Sequence, residues 1–275
     1  MSPFRASAGL TASWEHFGYD ERDGVATVTF DRPERLNALT FDVYADLRDL
    51  LAELPQRQGV RVLVVTGAGR GFCSGGDVHE IIAALRGLGP RELLEFTRMT
   101  GSVVQRLREL PLPVVAAVNG VAAGAGAVIA LAADFRLLAR SASFAFLFTK
   151  VGLAGADMGA AYLLPRLVGL ARATELLLLG DPVDAAAAAA AGLANQVVDD
   201  GELPAATAAL AGRLAAGPTL AYGTTKALLS RELDMNLAGA VELEAVAQAL
   251  MMTSADHAEF LAAFTERREP RWTGR

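Results

Sequence analysis

Residues 113–134 read PVVAAVNGVAAGAGAVIALAAD. Within them Val114 to Ala133 is a 20-residue run without a single charge, and Gly120 and Gly124 form a GxxxG pair. Twenty apolar residues are long enough to cross a bilayer. The composition argues otherwise: Asn119 interrupts the run, Ala, Gly and Val dominate it, and Pro111 and Pro113 precede it. The stretch therefore reads as a buried strand over 113–118, a glycine-rich turn and a helix over Val128–Ala133. The turn itself, NGVAAGAGA (119–127), would offer free backbone N–H groups at a helix N-terminus, with no side chain large enough to cover them.

A second turn of the same kind lies upstream. Residues 66–77, TGAGRGFCSGGD, follow the apolar strand RVLVVT (61–66) and lead into VHEII. Glycines let the chain adopt positive φ, so several amides can converge on one anionic atom beside a helix dipole. A dinucleotide reading of TGxxxG fails on three counts. The third glycine falls on Cys73, the motif sits well away from the first strand, and Tyr162 is followed four residues on by Arg166 rather than lysine. Two such turns, each after a buried strand and each opening a helix, are either tight corners or an oxyanion hole built from two backbone donors.

Around these turns the pattern is mixed α/β. VATVTF (25–30) alternates like a strand. Thr40 can cap a helix that recurs through Phe41, Tyr44, Leu47, Leu51 and Leu54. A helix is expected from Arg91 to about Leu110, and short strands over Phe135–Leu138 and Phe144–Phe148. From Met158 onward the pattern turns helical, including the alanine run 185–191 ended by Gly192. The division expected is a flexible N-terminal extension (1–18), a core (19–200) and a helical tail (201–275) that docks onto the core or a neighbouring subunit.

Composition narrows the function. The 275 residues carry 25 Lys+Arg against 31 Asp+Glu, a net charge of −6, with 52% hydrophobic and 20% charged residues. That balance opposes non-specific nucleic-acid binding and disorder. One cysteine and three histidines leave nothing for disulfides, a zinc site or an iron–sulfur cluster, so no metal is expected. The N-terminus has no apolar targeting segment, which reads as a cytoplasmic protein without membrane attachment.

DRPERLNAL (31–39), GAGRGFCSGGDVHEI (67–81), the stretch 113–134, VGLAGADMGAAYLLPRLVG (151–169) and AAGLANQVV (190–198) together resemble the crotonase family, the enoyl-CoA hydratase/isomerase superfamily. The likeness runs from Tyr19 to Trp272. It implies a ββα spiral core with a helical C-terminal region that mediates trimerisation, often as a hexamer of two trimers. It also implies an acyl-CoA substrate and no separate cofactor, with Gly76 and Ala125 as the two amides on the thioester oxygen. Coenzyme A contacts would come largely from the backbone of Leu36–Leu39, Ala38 included, and of Gly75, Asp77 and Val78. Arg35, Arg267 and Arg268, the latter two near Phe264, are candidate phosphate partners, and His79 stands where many members carry a lysine.

The chain departs from the hydratases of that family at both of their glutamates: Val128 and Phe148 occupy those places. Asp157, in GLAGADMGAAYLLPR, is the carboxylate left, set among Ala, Gly, Met and Leu, where desolvation would raise its pKa. It reads as principal acid/base or as a helix N-cap, and as both at once without contradiction. Asp77 and Asp134 read as caps or turn residues. Tyr162 reads as packing, or as a second polar group one turn beyond Asp157. A single carboxylate suits proton shuttling between double-bond isomers. The alternatives are Asp157 as nucleophile in a hydrolase or dehalogenase, and a catalytically weak acyl-CoA binder that has lost its acids.

Overall fold

The structure, a computed structural model, describes residues 9–275; the first eight residues of the expected extension lie outside them. β1 (Gly18–Arg22) and β2 (Val25–Phe30) form an antiparallel hairpin around Asp23 and Gly24, both at positive φ. The alternation in VATVTF sends Ala26, Val28 and Phe30 into the core. Thr40 caps α1 (Phe41–Glu53) by accepting from the Val43 amide at 3.2 Å, and the apolar face of that helix buries Val43, Tyr44, Leu47, Leu50 and Leu51.

Three similar circuits follow. β3 (Val62–Gly67) and β4 (Gly71–Cys73) lead through a wide helical turn (Val78–Ile82) and α2 (Ala83–Leu85) to α3 (Pro90–Glu109). β5 (Val114–Val118) and β6 (Val121–Ala123) lead to α4 (Ala125–Ala132). β7 (Phe135–Ala139) and β8 (Ser143–Ala145) lead to α5 (Ala160–Val168) and α6 (Leu170–Leu179). The first strand of each circuit joins one sheet, in order with β1, β2 and the later β10 (Gln196–Val198). The second strand joins another sheet, closed by β9 (Val183–Asp184). Within each sheet the three circuits pair in parallel register, so the chain advances as a ββα spiral. α7 (Ala185–Ala190) is the alanine run, capped by Asp184.

Two asparagines hold the corners between the sheets. The buried Asn37 donates to the Ala68 and Gly71 carbonyls at 2.9 and 2.7 Å and accepts from the Arg32 amide at 2.9 Å. Asn119 accepts from the Gly67 amide at 3.2 Å and donates to the Gly69 and Gly71 carbonyls. A corner strips the backbone of its ladder partners, and these amides replace them.

The uncharged stretch 114–133 lies within β5, β6 and α4, whose eight residues are all buried. No helix among the described residues is long and apolar enough to cross a membrane. Some expectations need correction. α4 starts at Ala125, three residues before the expected Val128, because the chain becomes helical as soon as Gly124 has turned it. β8 ends at Ala145, and Phe148 takes helical angles ahead of a short 3₁₀ turn (Thr149–Val151) while its ring stays buried. Residues 11–17 of the extension are anchored: Thr11 binds Glu53 at 2.6 Å, Arg57 donates to the Thr11 carbonyl at 2.6 Å, and Phe17 joins the core.

α8 (Leu203–Ala215) packs on β3, β5 and β7 and buries Leu203, Ala211 and Leu214, so it belongs to the core. Beyond it come α9 (Thr219–Glu232), α10 (Leu237–Met251) and α11 (Ala255–Glu266). Lys226 of α9 enters the core, donating to the Leu107 and Leu112 carbonyls at 2.8 and 3.2 Å and pairing with Asp134 at 2.9 Å. Asp134 also accepts from the Val114 amide at 2.8 Å, so the expected turn residue is the anchor of the tail. Arg61 reaches the Gly217 and Trp272 carbonyls at 2.6 and 3.2 Å. Breaking a buried pair from one side leaves an uncompensated charge. Lys226→Met is therefore expected to lower stability by about 3 kcal/mol in urea denaturation, with the losses centred on the docking of α9.

Candidate active site

The first glycine-rich turn is stitched to residues 36–39. The Ser74 amide donates to the Leu36 carbonyl at 2.9 Å, Leu39 donates to Gly75 at 2.8 Å, and Asp77 donates back to Leu39 at 2.9 Å. Successive peptide groups of extended chain face alternate sides, so the Gly76 N–H points away from Leu39. It donates to no described group. Asp77 closes the turn as a cap: its Oδ1 accepts from His79 and Glu80 amides at 2.9 and 3.2 Å, and its Oδ2 meets Arg32 at 3.1 Å. Burial opposes that charge, but the two amides and Arg32 outweigh it and hold the carboxyl below its ordinary range. The side chain is thus committed to the fold, and only the main chain of Asp77 is left for a ligand.

The second turn arrives directly beside the first. Gly124 donates to the Ala145 carbonyl at 2.8 Å, and Ala125 follows as the first residue of α4, where no intrahelical acceptor exists. The Ala125 N–H, like that of Gly76, has no described partner. At Gly75 (φ +97°) a Cβ would stand 3.0 Å from the Ala123 carbonyl and 3.5 Å from the Ala125 nitrogen. At Gly126 a Cβ would lie 2.2 Å from the Cys73 carbonyl oxygen. Only glycine allows this approach. The free amides therefore belong to two chain segments in main-chain contact.

Asp157 lies half-buried between the 3₁₀ turn and α5. Its Oδ1 accepts from the Met158 amide at 2.8 Å, and its carbonyl accepts from Ala160 at 2.8 Å, so the capping reading is partly realised. Among the described residues no cation pairs with it. Burial pushes its carboxyl above the ordinary range, and the Met158 amide pulls it back only in part. Val128 and Phe148 are buried and apolar, as their types demand.

The remaining candidates divide. Arg35 is exposed without an ion pair among the described residues, Leu36 adopts a left-handed conformation (φ 51°), and Val78 and His79 stand exposed beyond the turn. The Ala38 carbonyl is taken by Arg32 at 2.8 Å. Phe264 and Arg267 are exposed at the end of α11, and no hydrogen bond or ion pair among the described residues joins them to the first turn. Arg268 is withdrawn from the list, since it pairs with Glu259 and Glu266, each at 2.5 Å. Tyr162 is neither core nor site: its hydroxyl donates to Asp234 at 2.8 Å and Arg166 lies over its ring. No group of His, Cys, Asp and Glu among the described residues is arranged to hold a metal.

The family model described as enoyl-CoA hydratase/isomerase matches residues 20–275. The chain belongs to that family. A solved structure from Streptomyces coelicolor A3(2), provisionally assigned as an enoyl-CoA hydratase, superposes with a TM-score of 0.97 at 61% identity over the whole of both chains. The 1,2-epoxyphenylacetyl-CoA isomerase of Escherichia coli K12 is 41% identical over 252 residues, 92% of this chain and 96% of that protein. The crotonyl-CoA hydratase of Syntrophomonas wolfei is 31% identical, over 94% of this chain and 97% of its own length. The ββα spiral is accordingly the crotonase fold, and the protein is an enzyme of enoyl-CoA hydratase/isomerase type.

Within this hydratase/isomerase frame, sequence reading finds both turns and Asp157 but misses their supports. Arg32 binds Asp77, Glu80 and the Ala38 carbonyl together, and DRPER gives no periodic signal of that role. Asn37 and Asn119 show themselves only as isolated polar residues inside apolar runs. The raised pKa of Asp157 has a stability consequence. Because the folded carboxyl resists ionisation more than the unfolded one, its protonated form favours folding below the unfolded value, and that contribution is lost as pH rises through the folded value. Asp157→Asn is therefore expected to melt higher than wild type at pH 7. The difference should shrink as pH falls below the ordinary Asp range, as followed by thermal denaturation.

Proposed function

We propose that the enzyme shifts double bonds in acyl-CoA thioesters by proton transfer, with Gly76 and Ala125 as the oxyanion hole and Asp157 as acid/base. The observation that carries this reading is the pair of unpartnered amides on adjoining turns, in a chain that also holds a desolvated carboxylate at Asp157 and whose two hydratase glutamate positions hold Val128 and Phe148. The Asp157 carboxylate takes a proton from a carbon conjugated, directly or through the double bond, to the thioester. The C–H electron pair moves into the conjugated system, and the negative charge collects on the thioester oxygen, where the two N–H groups receive it. Asp157 then returns the proton two carbons away, and the double bond has moved without any other reactant. A carboxylate whose pKa is raised above its ordinary range is the stronger base, and so better able to take a proton from carbon.

Coenzyme A in this reading lies along 35–39 and 75–79, with Arg35 and His79 toward its phosphates and main-chain groups toward the rest. The name of the E. coli relative, an isomerase of a CoA thioester, favours isomerisation over water addition. Phe264 and Arg267 would complete a site only through assembly. α10 buries none of its residues, and Leu237, Val241, Val246 and Leu250 on it, with Phe260, Leu261 and Phe264 on α11, are exposed. Such a surface is normally covered. A homotrimer or a hexamer of two trimers is the proposed state, so sedimentation equilibrium should give three or six times the 28.7 kDa chain mass.

Two variants test the chemistry. A panel of enoyl-CoA thioesters should be converted to double-bond isomers by wild type and not by Asp157→Asn; undiminished conversion by that variant would remove Asp157 from the mechanism. Ala125→Pro deletes one donor at a helix position that tolerates proline. Its kcat is expected to fall by roughly 10²–10³ while the helix remains folded.

A further inference from the structure

A cavity of about 780 Å³ lies between α5, α8 and α9, and none of Gly76, Ala125 and Asp157 lines it. Its walls are largely leucine: Leu163 and Leu167 of α5, Leu210 and Leu214 of α8, and Leu229 of α9. Its charges are one-sided. Arg108, Arg136, Arg166, Arg213 and Lys226 line it against a single acid, Asp134, in a chain whose net charge is −6. Three of these cations already have carboxylates. Lys226 and Arg108 meet Asp134 at 2.9 and 3.4 Å, and Arg166 meets Asp234 at 3.0 Å. Arg136 and Arg213 have none among the described residues. Arg213 is exposed and forms no hydrogen bond with a described group. Arg136 is only 5% exposed; its Nε and Nη1 donate to the Leu193 and Ala133 carbonyls at 2.7 and 2.6 Å, while its Nη2 donates to no described group. Burial draws its pKa down to about 10, which still leaves the guanidinium charged at neutral pH. Carbonyl oxygens satisfy donors but supply no counter-charge, and a buried cation without one is costly.

We propose that this cavity is a second binding site, for an alkyl carboxylate, whose head neutralises Arg136 and Arg213 and whose chain lies among the leucines. A guanidinium fork matches the two oxygens of a carboxylate, and the volume is that of a small-molecule site. Arg136 lies too deep for a helix laid across the opening, whereas a slender chain reaches it. In an acyl-CoA the carboxyl is consumed by the thioester bond, so the ligand is the free acid. The site stands apart from the acyl-CoA reading above and does not rest on it. The competing occupant is α10 of a second copy, whose only charged side chains are Glu242 and Glu244 and which buries none of its residues.

Decanoate is the probe, with acetate as its head alone and decanol as its chain alone. Titration calorimetry of the full chain should find one decanoate per chain, bound about tenfold or more tighter than either control. Arg213→Glu changes an exposed side chain that bonds to nothing described. It should weaken decanoate about tenfold or more, with the melting temperature of the unliganded protein unchanged. If Arg213→Glu melts lower, Arg213→Gln, which removes the charge without reversing it, repeats the comparison. Decanoate affinity that neither variant changes would place the ligand elsewhere, and equal affinity for decanol would show an apolar hollow with no need of an anion; each overturns the inference. A wild-type chain that binds no decanoate overturns it as well. If Arg213→Glu then also lowers the sedimenting mass, the cavity is a seam between copies and α10 is its occupant.

Discussion

The contact on which the rest of the structure depends is main chain against main chain, between Cys73–Gly76 and Ala123–Gly126. A Cβ at Gly126 would stand 2.2 Å from the Cys73 carbonyl, and one at Gly75 would stand 3.0 Å from that of Ala123. No side chain of any kind fits there. The pairing of β4 with β6 brings the segments together, and its register shift between Gly71 and Cys73 re-aims the chain as it leaves the sheet. Close approach also sets the composition of α4: its residues are small or apolar because the helix is enclosed by strands and by α3 and α5. The low charged fraction of the chain thus follows from how its second circuit is packed inside the first and third.

Such packing raises the cost of every polar group it encloses, and most are answered. Arg136, whose pKa burial draws down to about 10, donates to the Leu193 and Ala133 carbonyls at 2.7 and 2.6 Å. Lys226 has two carbonyls and Asp134, and Asp77 has two amides and Arg32. Asn37 and Asn119 satisfy the corners. These groups are fixed in one arrangement because each alternative would leave a buried donor or acceptor without a partner. They hold the turns in register.

Much of this was legible in the sequence. Periodicity finds β2, β3, β5, α1 and α3 because each buries one face or both, and glycine placement finds both turns because close approach has no other solution. What periodicity does not encode is partner identity across long separation. Arg32 to Asp77, Asn119 to Gly67 and Lys226 to Asp134 each join residues tens of positions apart. The ends of elements were missed for a related reason. Phe148 looks like strand by residue type, but the chain leaves the sheet at Ala145 to make the 3₁₀ turn that precedes Asp157. Residues 11–17 look like a loose extension because their anchors, Glu53 and Arg57, lie on another element.

Three groups of the candidate site lack such partners: the Gly76 and Ala125 amides, and the Asp157 carboxylate, which has one amide from its own neighbour and no cation among the described residues. A fold optimised for stability alone would pair them or replace them. Their cost argues that they are kept for something that binds, and their chemistry describes it. Two donors suit one oxygen bearing developing charge, and a reluctant carboxylate suits a proton in transit. In the proposed mechanism two donors on rigid turns need no reorganisation when the charge appears, an advantage that backbone groups held by glycine contacts have over side chains free to rotate. The carboxylate is the opposite case. In the proposed mechanism it changes protonation state twice in each cycle; a strong cation beside it would fix one state, and among the described residues none pairs with it.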